Sequence, residues 1–125
     1  MDQEKETILF EAEDPNGRKI ILSSNRYYGH IISSDAGHQA HAEFTPEELK
    51  MALEDPDVIY KSKLPDTDVY FGKTCNTYPF LFIKAPVAVY DGGKSGEVQT
   101  AHLTKTISGN IDEGGLLYVR SKPRV

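Results

Sequence analysis

From residue 79 to residue 104 the chain alternates apolar and polar positions with a period of two, the mark of strands buried on one face. Leu81, Ile83, Ala85, Val87 and Val89 share one parity, and Ala101 and Leu103 continue it on the far side of a DGGKSG turn at 91–96. Glycines in that turn reach positive φ without steric cost. The pattern predicts two antiparallel strands with one face as a core wall. If the indices of opposed residues sum to an even number, Lys84 shares the other face with Thr100, His102 and Thr104. The odd register would bury two hydroxyls and an imidazole, at about 1–3 kcal/mol each unless they are hydrogen-bonded. Pro86 cannot donate to the ladder and marks a point where a bulge can shift the parity.

The same period opens the chain. Over residues 7–24, Ile8, Phe10 and Ala12 alternate with Leu9, Glu11 and Glu13, and Ile20 and Leu22 resume the pattern. Between them Asp14-Pro15-Asn16-Gly17 is strong turn chemistry, so a structural hairpin is expected. Residues 25–44 hold Tyr27, Tyr28, His30, His38 and His41 without a sustained period, and Asp35-Ala36-Gly37 reads as a turn. Thr45-Pro46-Glu47-Glu48 is then a capping box with proline at the first helical position, and Phe44 and Leu49 fit a hydrophobic staple. Leu49, Ala52 and Leu53 form one apolar stripe, and Asp55-Pro56 stops the helix. A helix over 46–54 is too short to persist unless it docks on a sheet. Val58-Ile59-Tyr60 and Val69-Tyr70-Phe71 read as short strands around Leu64-Pro65-Asp66. Leu116-Leu117-Tyr118-Val119 reads as a last strand after a loop at 108–115, before a frayed tail at 120–125. The inventory implies an α+β fold: a twisted antiparallel sheet with one or two short helices packed on one face.

Composition narrows the setting. A chain of 125 residues, 38% hydrophobic and 26% charged, is expected to be one soluble domain. Its single cysteine, Cys75, excludes an internal disulfide and fits a reducing, cytoplasmic compartment; in its polar stretch it reads as an incidental thiol. No apolar run is long enough to span a membrane, and the acidic MDQEKE start is unlike a signal peptide, so no membrane partner is expected. The net charge of −5 is uneven: residues 1–57 carry five Lys/Arg against thirteen Asp/Glu, and residues 58–125 nine against six. An acidic whole argues against non-specific coating of nucleic acid, while the positive second half leaves room for a local anion site. His30, Asp35, His38 and His41 match no zinc-ligand spacing, so neither metal nor cofactor is expected.

One order of parts stands out. His30-Ile31, His41, a short helix and the run Leu53-Glu54-Asp55-Pro56-Asp57-Val58-Ile59-Tyr60 are followed by an apolar strand, a glycine turn and a strand with Thr100-Ala101-His102-Leu103-Thr104. This order over about residues 27–105 resembles the phage-associated branch of the barnase–EndoU–colicin–RelE-like nucleases. The resemblance implies a nuclease-like core at 27–120, with 1–26 as a hairpin extension. It also implies metal-independent cleavage of RNA, as in a toxin effector. Such chemistry needs a base for the 2′-hydroxyl, an acid for the leaving 5′-oxygen and groups that stabilise the charged phosphorus centre. The positions matching the pattern are His30, His41 and Thr100, with His102 where relatives often carry an aromatic or polar residue.

Lys84 is added from the strand pattern as a charge stabiliser, and Arg26 and Tyr28 as substrate contacts. Arg26 is the only arginine near this block, a departure from phosphate sites that favour the guanidinium fork. Two other functions fit the same residues: a non-catalytic module binding RNA or a cognate protein, and an acidic immunity or antitoxin-like protein whose first half meets a basic partner.

Overall fold

The computed structural model describes residues 7–28, 44–107 and 115–121. Strand β1 (Ile8–Glu13) turns into β2 (Lys19–Ser23), which ends in a single helical turn, α1 (Ser24–Arg26). Helix α2 (Pro46–Glu54) is followed by β3 (Val58–Lys61), β4 (Thr67–Gly72), β5 (Phe82–Tyr90), β6 (Ser95–Val98), β7 (His102–Thr104) and β8 (Leu116–Val119). The strands form one open eight-stranded sheet in the order β1-β2-β6-β5-β4-β3-β8, with β7 also on β5. The α+β class and the helix on one sheet face are as the pattern predicts. The sheet is mixed, however, because β2 runs parallel to β6 while every other pair is antiparallel. The initial hairpin is therefore part of the central sheet. None of the described helices is long and apolar enough to cross a membrane.

Helix α2 begins where its capping box lies. Thr45 Oγ1 accepts the Glu48 N–H at 3.1 Å, and Glu48 Oε1 accepts the Thr45 N–H at 2.9 Å. Both bonds satisfy donors that have no partner within a helix end. Leu49, Ala52 and Leu53 are fully buried, as their spacing requires. The helix packs on β1, β4 and β5. Since β2 and β6 lie between β1 and β5, the sheet must curl around the helix. Gly72 allows the closest approach: a Cβ there would lie 2.8 Å from Ala52 Cα.

That contact identifies the two faces. Gly72, Tyr70 and Asp68 point toward α2, and the β4–β5 register places Ile83, Ala85 and Val87 beside them. With Ile20, Leu22, Val98 and Ala101 they form the core. Cys75 lies in this core, 1% exposed, so the sequence expectation of a polar turn thiol is corrected by its packing. Arg120 also departs from the expected frayed tail. Its guanidinium grips the Asp55 carboxylate by two bonds of 3.0 Å, and its N–H donates to Asp57 O. Residues 122–125 lie outside the described set.

A buried polar cluster fastens the hairpin to the sheet. Asp14 Oδ1 accepts the Asn16 and Arg18 N–H groups within the turn, where Gly17 takes φ +91°. Asp14 Oδ2 accepts the Tyr70 hydroxyl. Arg18 donates to Tyr70 Oη at 3.0 Å, to Asp68 Oδ2 at 2.8 Å and to Gly93 O at 2.8 Å. Burial, then the Asp14 carboxylate, hold the Tyr70 phenol well above its ordinary pKa. Burial opposes the Arg18 charge, but its bonds to Asp68 and Tyr70 prevail and raise its pKa. One cation between two buried carboxylates is thus paired and hydrogen-bonded, as buried charge must be.

Candidate functional site on the open sheet face

The face turned away from α2 is built by register. Lys84 lies directly opposite His102 across β5 and β7, with Ile83 opposite Leu103 and Phe82 opposite Thr104. The indices sum to an even number, so Lys84 and His102 share a face as predicted. Farther along, Val87 opposes Val98 and Tyr90 opposes Ser95, an odd sum. The return strand therefore carries one extra residue between Val98 and His102. Pro86 sits at that shift, its carbonyl accepting the Gln99 N–H at 2.9 Å. The even register thus holds near the start of the strand, where it was expected, and the parity shifts at Pro86, the residue that cannot donate to the ladder.

Cross-strand pairing extends the row: His102 meets Lys84, Lys84 meets Phe71, Phe71 meets Val58, and Val58 meets Val119. Phe71 is fully buried and lies at the centre of an aromatic series. Its ring meets Tyr60 edge-on at 5.9 Å and Phe82 edge-on at 6.3 Å. Two lysines cover this series. Lys84 Nζ lies 5.8 Å from the Phe71 centroid, and Lys73 Nζ lies 4.9 Å from that of Phe82. Phe71 and Tyr60 thus form a buried aromatic floor, and of the three rings only Phe82 keeps partial exposure, with the two lysines, His102 and Thr104 alongside. The sequence reading found Lys84 and His102 but missed Phe71, Phe82 and Lys73. For Phe71 and Lys73 the signal was present in the alternation of Val69, Phe71 and Lys73 on β4 and its continuation, and for Phe82 in the parity it shares with Lys84 on β5.

The other expected site residues are distributed differently. Thr100 sits in the irregular stretch between β6 and β7; its Oγ1 is buried and makes no hydrogen bond among the described residues. Tyr28 lies on the helix side of the sheet. With Leu9, Phe10, Pro46, Glu47 and Lys50 it lines an open groove of about 530 Å³ between β1 and α2. Its neighbour Tyr27 packs edge-on against it at 5.1 Å and donates its hydroxyl to Phe44 O. Burial first, then the charges of Tyr28, Glu47 and Glu48, raise the Tyr27 pKa. Arg26 ends α1, two residues ahead of Tyr28, and its N–H is capped by Ser23 Oγ. Neither Arg26 nor Tyr28 belongs to the row that carries Lys84. His30 and His41 lie outside the described residues. Among the described residues no group of His, Cys, Asp and Glu could hold a metal ion.

The arrangement can attract an anion to Lys84 and Lys73, offer imidazole chemistry at His102 and present an aromatic ring at Phe82. No protein-family model, no curated protein and no solved structure matches this chain.

Proposed function

We propose that the open sheet face contacts single-stranded RNA and that the domain cleaves the strand without a metal ion. The observation that carries this reading is the direct opposition of Lys84 and His102, beside Phe82, on a face no described helix covers. Lysines neutralise backbone phosphates, and an aromatic ring stacks on any base, so the pair suits a strand read loosely in sequence. In the cleavage step a base takes the proton of a 2′-hydroxyl, whose oxygen attacks the adjacent phosphorus. The bond to the 5′-oxygen breaks, and an acid protonates that oxygen, leaving a 2′,3′-cyclic phosphate and a 5′-hydroxyl. His102 is assigned one proton-transfer role, His30 and His41 supply the other, and Lys84 stabilises the charge at phosphorus, a part the buried Thr100 hydroxyl does not reach. A toxin effector acting in the cytoplasm is the setting this activity fits, and the lone thiol accords with a reducing compartment.

One observation favours a second reading. Strand β1, at the opposite edge of the sheet, exposes Glu11 and Glu13, which suits a basic protein partner and an immunity-like role.

Labelled single-stranded RNA and DNA of one sequence, each incubated with the protein in a metal chelator, separate these readings. Cleavage of RNA alone, with cyclic phosphate ends and loss of activity in His102→Ala and Lys84→Ala, is the expected result. Binding without cleavage would reduce the domain to an RNA-binding module. Failure to bind RNA at all would remove the proposal.

A further inference from the structure

Lys73 stands one residue past the end of β4. Gly72 lies opposite Ile83, so continuing the β4–β5 register sets Lys73 across from Phe82. Its backbone is held by Asp57, whose Oδ2 accepts the Lys73 N–H at 2.7 Å and whose own N–H donates to Phe71 O at 2.7 Å. The side chain, by contrast, is exposed, and its Nζ lies 4.9 Å from the Phe82 centroid. Phe82 is half-buried, so an exposed lysine on its ring covers it from the solvent side. A surface contact between a cation and an aromatic face is weaker than a nucleobase stacked on the same ring. A base can therefore displace the ammonium, which swings on a flexible four-carbon stem while its backbone stays pinned.

We propose that Lys73 is a displaceable cover on Phe82. It lies on the ring in the free protein, yields that place to one base of a single-stranded RNA, and turns to the phosphate next to that base. This inference rests on the RNA reading of the open face and names the unit that the face selects. The two contacts become one event: an anion without a base leaves the ammonium on its ring, and a base without a phosphate leaves the ammonium without an acceptor. The unit recognised is thus a nucleotide within a strand, not a phosphate or a base alone. Lys84 differs. Its Nζ lies 5.8 Å from the centroid of Phe71, and that ring is fully buried, so no base exchanges with this lysine.

The Lys73 ε-methylene protons report the cover, because an aromatic ring shifts protons above its face upfield. In the free chain, labelled on lysine and assigned with Lys73→Gln, these signals should lie upfield, and Phe82→Leu should return them to the ordinary lysine position. A short oligouridylate should return them in the native chain as well, whereas the same strand made of abasic sugars should leave them upfield. Phe82→Leu should weaken oligouridylate binding about ten-fold and leave the abasic strand unaffected. Lys73→Gln should lower the slope of log affinity against log salt by about 0.7 for oligouridylate alone. Circular dichroism and melting establish that each variant is folded, and should Phe82→Leu not be, the exposed Lys73→Gln carries the test. Oligouridylate bound with the Lys73 signals still upfield overturns the proposal, as does an abasic strand that moves them equally. Failure of both strands to bind is a different result, which removes the RNA reading of the face and this inference with it.

Discussion

Replacing Arg18 by Met removes the one cation from a cluster that buries two carboxylates. Asp14 is 4% exposed and Asp68 6%, so neither recovers full hydration when its partner is lost. The substitution breaks the 2.8 Å ion pair with Asp68 and the bonds to Tyr70 Oη and Gly93 O, while the methionine stem retains most of the packing. Removing one partner of a buried ion pair costs about 3–5 kcal/mol. The Arg18 side chain keeps 17% exposure, which favours the lower end, about 3 kcal/mol. That is a large share of the roughly 5–15 kcal/mol that holds a domain folded. With a urea slope of about 1.5 kcal/mol/M, the midpoint should fall by about 2 M at unchanged slope. Adding Asp68→Asn removes the stranded charge and should return about 1–2 kcal/mol, so the two substitutions are far from additive. A loss below about 1 kcal/mol, or an additive cycle, would show that water already screens the pair and that it does not fasten the hairpin.

Gly72→Ala should destabilise the fold by about 1–3 kcal/mol, because the new methyl meets the helix backbone at Ala52 and α2 must lift; unchanged urea unfolding would contradict that packing. The Tyr70 phenol has a raised pKa in the folded state. Its contribution to stability is therefore complete below the ordinary tyrosine pKa of about 10 and declines above it, by at most about 1.4 kcal/mol per pH unit. Urea unfolding from neutral to strongly alkaline pH should show a steeper decline for the native chain than for Tyr70→Phe, and parallel profiles would refute the assignment.

Helix α2 was legible to the residue because everything that starts and stops it is local. Thr45, Pro46 and Glu48 act within one turn, and Leu49, Ala52 and Leu53 share a face at any tertiary placement. The common face of Lys84 and His102 was legible for a similar reason: alternation and a nearby turn allow only two registers, and burial cost separates them. The parity shift at Pro86 was visible as a risk but not as an outcome, since a bulge is placed by the partner strand as much as by its own residues.

Other features join residues that no local pattern relates. The parallel pairing of β2 with β6 brings together segments about 75 residues apart, and the resulting Arg18–Gly93 bond has the same separation. Read alone, Asp14 is a turn former, Arg18 a surface cation and Tyr70 a strand residue; only their convergence makes a buried network. The site divides in the same way. The pattern placed Lys84 and His102, but the aromatic series of Tyr60, Phe71 and Phe82 depends on three strands in one register. Alternation determines which side of its own strand a residue takes, whereas strand order, settled by contacts between segments far apart in the chain, determines its neighbours.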